Sequence, residues 1–593
     1  MQLAFIDWFI ISAFFVFSLA VGLLVSRKAG SNTTEFFLSG RNMPWWLLGV
    51  SMVATTFSAD TPNLVTNLVR ENGVSGNWGW WAFLLTGMLT VFVYARLWRR
   101  SEVMTDIEFY ELRYSGKPAA FLRGFRALYL GLIFNVLVMG AVSLAGVKFG
   151  EIILGWPGWQ TLLIAGSITL VYSALGGLRA VVITDFVQFI LAMIGSVWAC
   201  IYILGLPEVG GLSNLLANDL VAPKLNFLPD FSDPNVWVPV LIVPLAVQWW
   251  ASYYPGSEPG GGGYIAQRMF SAKDENNAMG ATLFYNVAHY ALRPWPWILI
   301  ALASLVVYPN LSDLQQAFPN LSADKLGHDV AYPAMLTFLP SGLLGLVAAS
   351  LIAAFMSTMS TQLNLGASYL VNDFYQRFIK PEATQKELVW AGRWFTVLST
   401  VLGLGLGLML TDAGQAFNLL LLLGAGTGLI YILRWFWWRI NAYTEIVAMI
   451  SSLIIATYLT FIHDAIGILP MEDWMKIIAG AVLTTVVWVV ATFFTPPDDD
   501  ATLREFYRRI KPGGSGWDAV LEKARQDGDP IEKEVGQLPL ELGGMLLACV
   551  AVYATLFATG FFIYGETGSA IIATVVAVGC TLSVLKLWPR LAG

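Results

Sequence analysis

Apolar residues run along this chain in blocks parted by short polar stretches. A helix that crosses a bilayer needs roughly 20 mostly apolar residues. Blocks of that kind fall at 4–26, 46–66, 79–97, 121–150, 160–176, 181–205, 236–266, 277–307, 341–371, 389–410, 414–437, 440–463, 475–495, 542–564 and 569–588. Fifteen spans, an odd number, put the two termini on opposite sides of a membrane. The first block carries Asp7 where a signal peptide has basic residues, and it lacks a small-residue cleavage site, so it reads as a retained span.

The polar stretches give the orientation. With the N-terminus outside, 28 of the 34 basic residues fall in inner loops or in the ends of spans next to them, four (Arg70, Lys224, Lys325, Lys476) fall on the outer side, and Lys148 and Arg293 are counted within spans. Cytoplasmic loops are the ones enriched in Lys and Arg. One missed span would invert every later loop and spoil this asymmetry. The reading is therefore a multi-pass protein of the cell membrane, N-terminus outside and C-terminus cytoplasmic. The only long polar segment, 496–540, falls on the inner side and reads as a solvated linker with one or two short helices, a regulatory module being the alternative.

Composition agrees with the blocks. The 593 residues are 56% hydrophobic and only 12% charged, against roughly 25% charged in soluble chains. That is too little charge to cover the surface of a soluble multidomain enzyme, and the net charge of −6 argues against a nucleic-acid partner. Cys200, Cys549 and Cys580 all lie in apolar runs, and His289, His328 and His463 show no metal-ligand spacing. No GxxxxGK[ST] sequence points to an ATP-driven pump, and no S4-like repeat or TVGYG-like filter points to a channel. Nothing implies covalent chemistry or an organic cofactor.

Polar sequence at bilayer depth is the best pointer to function, and it occurs in four places. In Ser51–Asn63, five hydroxyls, Asp60 and Pro62 interrupt an apolar helix, which must break and free carbonyls for a cavity, an ion or a ligand. In Gln248–Tyr264, two prolines and a four-glycine run interrupt another span. Each break lies in the first helix of a five-span set, 46–205 and 236–410, the arrangement of inverted-repeat transporters with a midplane site. In Ala353–Asn364, hydroxyls at helical spacing put Ser357, Ser360 and Thr361 on one face, suited to sodium, which takes oxygen ligands; the plain alternative is hydroxyls bonding back to their own helix. Asp185 stands alone in an apolar helix, either at an interface in reach of water or beside a cation.

These residues resemble the sodium/solute symporter family, which contains sodium–galactose, sodium–proline and sodium–sialic acid transporters. The resemblance rests on FFLSGRNMPWWLLGVSMVATTFSAD, GGLRAVVITDFVQ, QRMFSAKDE, GLLGLVAASLIAAFMSTMSTQLN and NDFYQRF, in that order over roughly 4–440. It implies an all-α polytopic protein with the LeuT-type five-plus-five inverted repeat. The organisation is then a preceding helix at 4–26, repeats at 46–205 and 236–410, further helices at 414–495, the polar segment 496–540, and two C-terminal helices within 541–588.

The resemblance also implies a sodium site made of the carbonyls of Ala54, Phe57 and Ala354 and the hydroxyls of Ser357 and Thr358. It implies a second sodium site at Asp185, Ser357, Ser360 and Thr361. The substrate would lie between the broken helices, near Ser58, Asp60, Thr61, Asn63, Trp250, Tyr253, Tyr254, Glu258 and Arg293. Sodium is then the coupling ion, and the partners are sodium, a small polar solute and the bilayer. Crowded aromatics (Trp249, Trp250, Tyr253, Tyr254, Trp295, Trp297) favour a sugar or polyol. The alternatives are an amino acid or organic acid, with Asp60 pairing an ammonium group and Arg293 or His289 a carboxylate, and a transporter-like solute sensor.

Overall fold

The computed structural model describes residues 3–319, 321, 326–410, 426–467, 470–534 and 536–592. Among them the architecture is helical, with no strand beyond an isolated bridge between Met43 and Ala272. The principal helical segments are α1 Phe5–Ala29, α2 Trp45–Thr56, α3 Thr61–Asn72, α4 Val74–Ser101, α5 Gly116–Leu154, α6 Gly158–Leu204, α7 Pro234–Ala251, α8 Gly263–Ser271 and α9 Glu275–Val307. They continue with α10 Leu343–Ile379, α11 Gln385–Met409, α12 Gly428–Leu433, α13 Ala442–Thr457, α14 Asp473–Phe494, α15 Asp500–Ile510, α16 Asp518–Gln526, α17 Leu538–Tyr564 and α18 Thr567–Leu591. Eleven of the described segments are long and apolar enough to cross a membrane, and α2 and α13 are shorter apolar helices.

The difference from fifteen blocks has local causes. The blocks 160–176 and 181–205 join in the 47-residue α6, which bends sharply at Gly177, where φ is 54° and ψ −157°. At 1.5 Å per residue α6 would be about 70 Å long if straight, far more than a bilayer core. It is two crossings hinged at a glycine, and a Cβ at Gly177 would collide with the carbonyl of Phe36. Blocks 46–66 and 236–266 each split in two, as α2 with α3 and α7 with α8. Block 414–437 begins within 411–425, outside the described residues, as does the outer-loop residue Lys325.

Burial sorts the helices. The apolar window of α10 is 94% buried and that of α4 83%, whereas that of α18 is only 17% buried. Helices with hydroxyls and small residues all round sit inside, and those with aliphatic faces pointing outward ring them. α6 packs along both α10 and α1, and α2 packs on α9 and α6, so the first broken helix is enclosed.

The segment 496–540 is not simply solvated. It forms α15 and α16, and Phe506, Tyr507 and Trp517 are fully buried. The Trp517 indole donates to the carbonyl of Trp435 at 2.9 Å and stacks on Phe506, and Arg113 lies 4.9 Å over its ring. Asp498 sits 3.9 Å from Arg113. Burial pushes its carboxyl above the ordinary range against the pull of that guanidinium.

Candidate functional site

The site begins where α2 stops. Thr56 is the last helical residue, Phe57–Asp60 are non-helical, and Pro62 opens α3 in the first turn, where its missing N–H costs nothing. The broken end leaves carbonyls without helical partners, and most find one. Arg293 donates to the carbonyls of Val53 at 3.1 Å and Thr56 at 3.0 Å, and the Thr61 hydroxyl also reaches Thr56 at 3.2 Å. The Thr358 hydroxyl donates to the carbonyl of Thr55 at 2.8 Å. Among the described residues, no donor outside regular helical bonding reaches the carbonyls of Ala54 and Phe57.

Across the break stands α10, whose hydroxyl run is buried throughout. Thr358 joins α10 to α2 and also approaches the carbonyl of Ala354 at 3.3 Å. The Ser357 hydroxyl donates to Asp185 at 2.6 Å, and Ser51 donates to the other oxygen of the same carboxylate at 2.5 Å. Ser360 bonds back to the carbonyl of Ser357 at 3.0 Å, while Thr361 faces Thr55 at 3.1 Å. Asp185 on α6, Ser51 and Thr55 on α2, and Ser357 and Thr361 on α10 therefore meet at one point.

That point already contains a cation. The Arg268 guanidinium, fully buried on α8, lies 3.7 Å from Asp185 and donates to Thr361 at 2.7 Å and to Ser51 at 3.2 Å. From the sequence, Arg268 is one of the inner-loop charges, and Asp185 stands alone in its helix, either in reach of water or beside a cation. The short α8, which turns straight back into the bundle after the glycine run and carries Arg268 inward, corrects the first reading and decides the second for a cation. A basic residue only five positions beyond Gly263 was the available signal.

Beside the break a cavity of about 110 Å³ separates α2 and α3 from the second interruption. Ser58, Asp60, Thr61 and Tyr254 line it, as do Thr55 and Thr358. Asp60 Oδ1 and Ser58 Oγ are buried without hydrogen-bond partners. Among the described residues no lysine or arginine lines the cavity; His289 does, with its ring nitrogen held by Arg293. Trp80, Tyr264, Tyr285 and Gln362 also line it, and the sequence reading does not single them out. Tyr285 and His289, four apart on α9, could have been paired by helical spacing.

The remaining expected substrate residues lie elsewhere. Arg293 is committed to the end of α2. Tyr253 packs on Phe134 and Tyr431, and the Trp250 indole donates to the carbonyl of Ala246. Glu258 sits against Gly262 and Gly263, with Oε2 buried and unpartnered. Asn63 is buried on α3 outside the cavity lining. Of the crowded tryptophans, Trp297 stacks on Phe57 at 5.1 Å and Trp295 donates to the carbonyl of Leu556, so both serve packing.

A sequence model of the sodium:solute symporter family matches residues 36–454. The chain is 28% identical over 520 residues to the sodium/glucose cotransporter of Vibrio parahaemolyticus, covering 84% of this chain and 92% of that protein. It is 26% identical over 498 residues to a sodium/mannose cotransporter of Bos taurus, covering 78% and 81%. It is 24% identical over 546 residues to the sodium/myo-inositol cotransporter 2 of Homo sapiens, covering 83% and 77%. Among solved structures, a sodium-coupled sialic acid symporter in a substrate-bound outward-open state superposes with a TM-score of 0.65 at 18% identity, covering 84% of this chain and 99% of that one. The fold is thus the LeuT-type fold of sodium symporters.

Proposed function

The chain belongs to the sodium:solute symporter family, and from that premise we propose that this multi-pass, sodium-coupled symporter carries a sugar or polyol. It works by alternating access from the cell membrane, N-terminus outside and C-terminus cytoplasmic. The observation that carries the reading is the broken end of α2, where the carbonyls of Ala54 and Phe57 are unclaimed among the described residues and Thr358 of α10 meets the carbonyl of Thr55, next to a cavity lined by Asp60. A dehydrated sodium ion takes the carbonyls of Ala54, Phe57 and Ala354 and the hydroxyls of Ser357 and Thr358. It thereby ties the broken α2 to α10, and the solute binds against Ser58, Asp60, Thr61 and Tyr254. Asp60 accepts from hydroxyl groups, and no free guanidinium lines the cavity to receive a carboxylate. Both features support a neutral polyhydroxylic cargo over an amino or organic acid. The relatives named for glucose, mannose and myo-inositol support the same choice.

A second sodium ion binds at Asp185 with Ser357, Ser360 and Thr361. For it to bind, Arg268 withdraws towards Gln267, whose Oε1 its Nη1 already contacts at 3.1 Å. Uptake of labelled glucose, mannose and myo-inositol into proteoliposomes tests the reading. Uptake that needs a sodium gradient and fails in potassium or choline is expected; equal uptake in all three buffers overturns it. Saturable sodium-driven accumulation also separates a symporter from a sensor, which binds solute without moving it.

A further inference from the structure

A second cavity, of about 150 Å³, opens between the start of α5 and the helices α12 and α13; it shares no lining residue with the solute cavity, although Tyr253 and Phe134 on its wall adjoin Tyr254 and Val138 on that one. Its walls are apolar, among them Phe121, Phe125, Leu130, Ile450 and Leu453. Phe121 is 59% exposed, Phe125 42%, Ile450 55% and Leu453 54%. In a protein that crosses a membrane, exposed side chains of this kind on spanning helices face acyl chains, so the cavity opens sideways into lipid.

One charge lies in it. Arg126 is only 4% exposed and lines the cavity, with its Nε donating to the Tyr110 hydroxyl at 3.0 Å and its Nη2 to the Tyr431 hydroxyl. No carboxylate among the described residues lies within ion-pair distance of it. The neighbouring arginines are matched: Arg434 is 3.3 Å from Glu445 and Arg123 is 2.8 Å from Asp373. A buried guanidinium without an anion is costly, and two phenol oxygens do not supply the missing charge. The tyrosines also pin it, so it cannot extend to the water interface as lipid-facing arginines usually do.

We propose that this cavity binds the carboxylate of a fatty acid from the surrounding leaflet. The head group pairs with Arg126, and the alkyl chain leaves along Phe121, Phe125, Ile450 and Leu453. Shape and depth select the occupant. Arg126 lies ten residues into its helix, about 15 Å along the axis, and the cavity admits a carboxylate with its first methylenes. A glycerophosphate bearing two chains is bulkier than a cavity of about 150 Å³ would hold whole.

The test uses the purified full-length protein in neutral-lipid nanodiscs, followed by thermal unfolding and by photo-crosslinking to a diazirine fatty acid. Oleate is expected to raise the unfolding temperature saturably, oleyl alcohol and phosphatidylglycerol are not, and crosslinks are expected to map to 121–134 and 446–453. Leu453→Trp fills the cavity without touching Arg126 and should weaken oleate binding by about tenfold or more, the scale of a lost charge-assisted contact. Arg126→Gln should do the same, and the Leu453→Trp result stands alone if Arg126→Gln does not fold. Equal shifts by oleate and oleyl alcohol, protection by phosphatidylglycerol alone, or crosslinks unaltered in Leu453→Trp would each overturn the proposal.

Discussion

Thr358 carries two duties at one oxygen. It joins α10 to α2 through the carbonyl of Thr55, and in the sodium site proposed above the same hydroxyl would meet the ion. Losing one of about five oxygens around a dehydrated ion should cost roughly 1–3 kcal/mol, which is about tenfold or more in affinity. Thr358→Ala is therefore expected to raise the sodium concentration for half-maximal uptake by at least that factor, with Thr358→Ser close to the parent. Normal transport by Thr358→Ala at low sodium would move the site elsewhere. Asp60 is the other residue with an open valence, its Oδ1 buried and unpartnered at the cavity wall. Asp60→Asn should fold and insert but bind solute more weakly, and unchanged calorimetric affinity would remove Asp60 from the solute's contacts. Ser58, Asp60, Thr61 and Tyr254 could be found from the sequence because a break in an apolar helix has few explanations. Arg268, Trp80 and Tyr264 could not, since which side chains meet across the bundle depends on how helices from distant parts of the chain rotate against each other.

At the scale of elements, both interruptions were legible because proline and glycine act locally. Pro62 restarts a helix after the hydroxyl-rich stretch, and the run through Gly263 ends one helix before α8 can begin. What followed each break was not legible, because a hydropathy window averages over a short buried helix such as α8 and hides its arginine. The same averaging made 496–540 look like a free linker. Its charges are real, but α15 and α16 each bury one face, and Trp517 is enclosed by Trp435, Phe506 and Arg113. Emptying a buried tryptophan site typically costs about 3–5 kcal/mol, more than a two-helix segment can spare. Trp517→Ala should therefore release this segment while the spanning helices stay inserted. Limited proteolysis of the protein in detergent would show it as rapid cleavage within 511–537. Cleavage at the parent rate would mean that the contacts around Trp517 do not hold the segment.

For the whole molecule, the quantity of interest is charge moved per cycle. Asp185 lies in the buried middle of the bundle, and in this structure its counter-charge is Arg268, held at 3.7 Å and shared with Thr361 and Ser51. In the proposed second site, sodium and the guanidinium would be alternative partners for one carboxylate. Binding the ion costs the loss of that approach and is repaid by the hydroxyls of Ser357, Ser360 and Thr361. If the exchange occurs in the cycle, two sodium ions accompany each neutral solute, and two charges cross the membrane per turnover. Linkage then requires that sodium raise solute affinity by the factor by which solute raises sodium affinity. Reversal potentials of reconstituted protein, measured over a range of sodium and solute gradients, give the ratio directly. A ratio of two is expected for the parent and one for Asp185→Asn, whose amide can still accept from Ser357 but no longer attracts a cation. A ratio of one in the parent, unaltered by Asp185→Asn, would leave Arg268 as the permanent partner of Asp185 and the common site as the only coupling ion's seat.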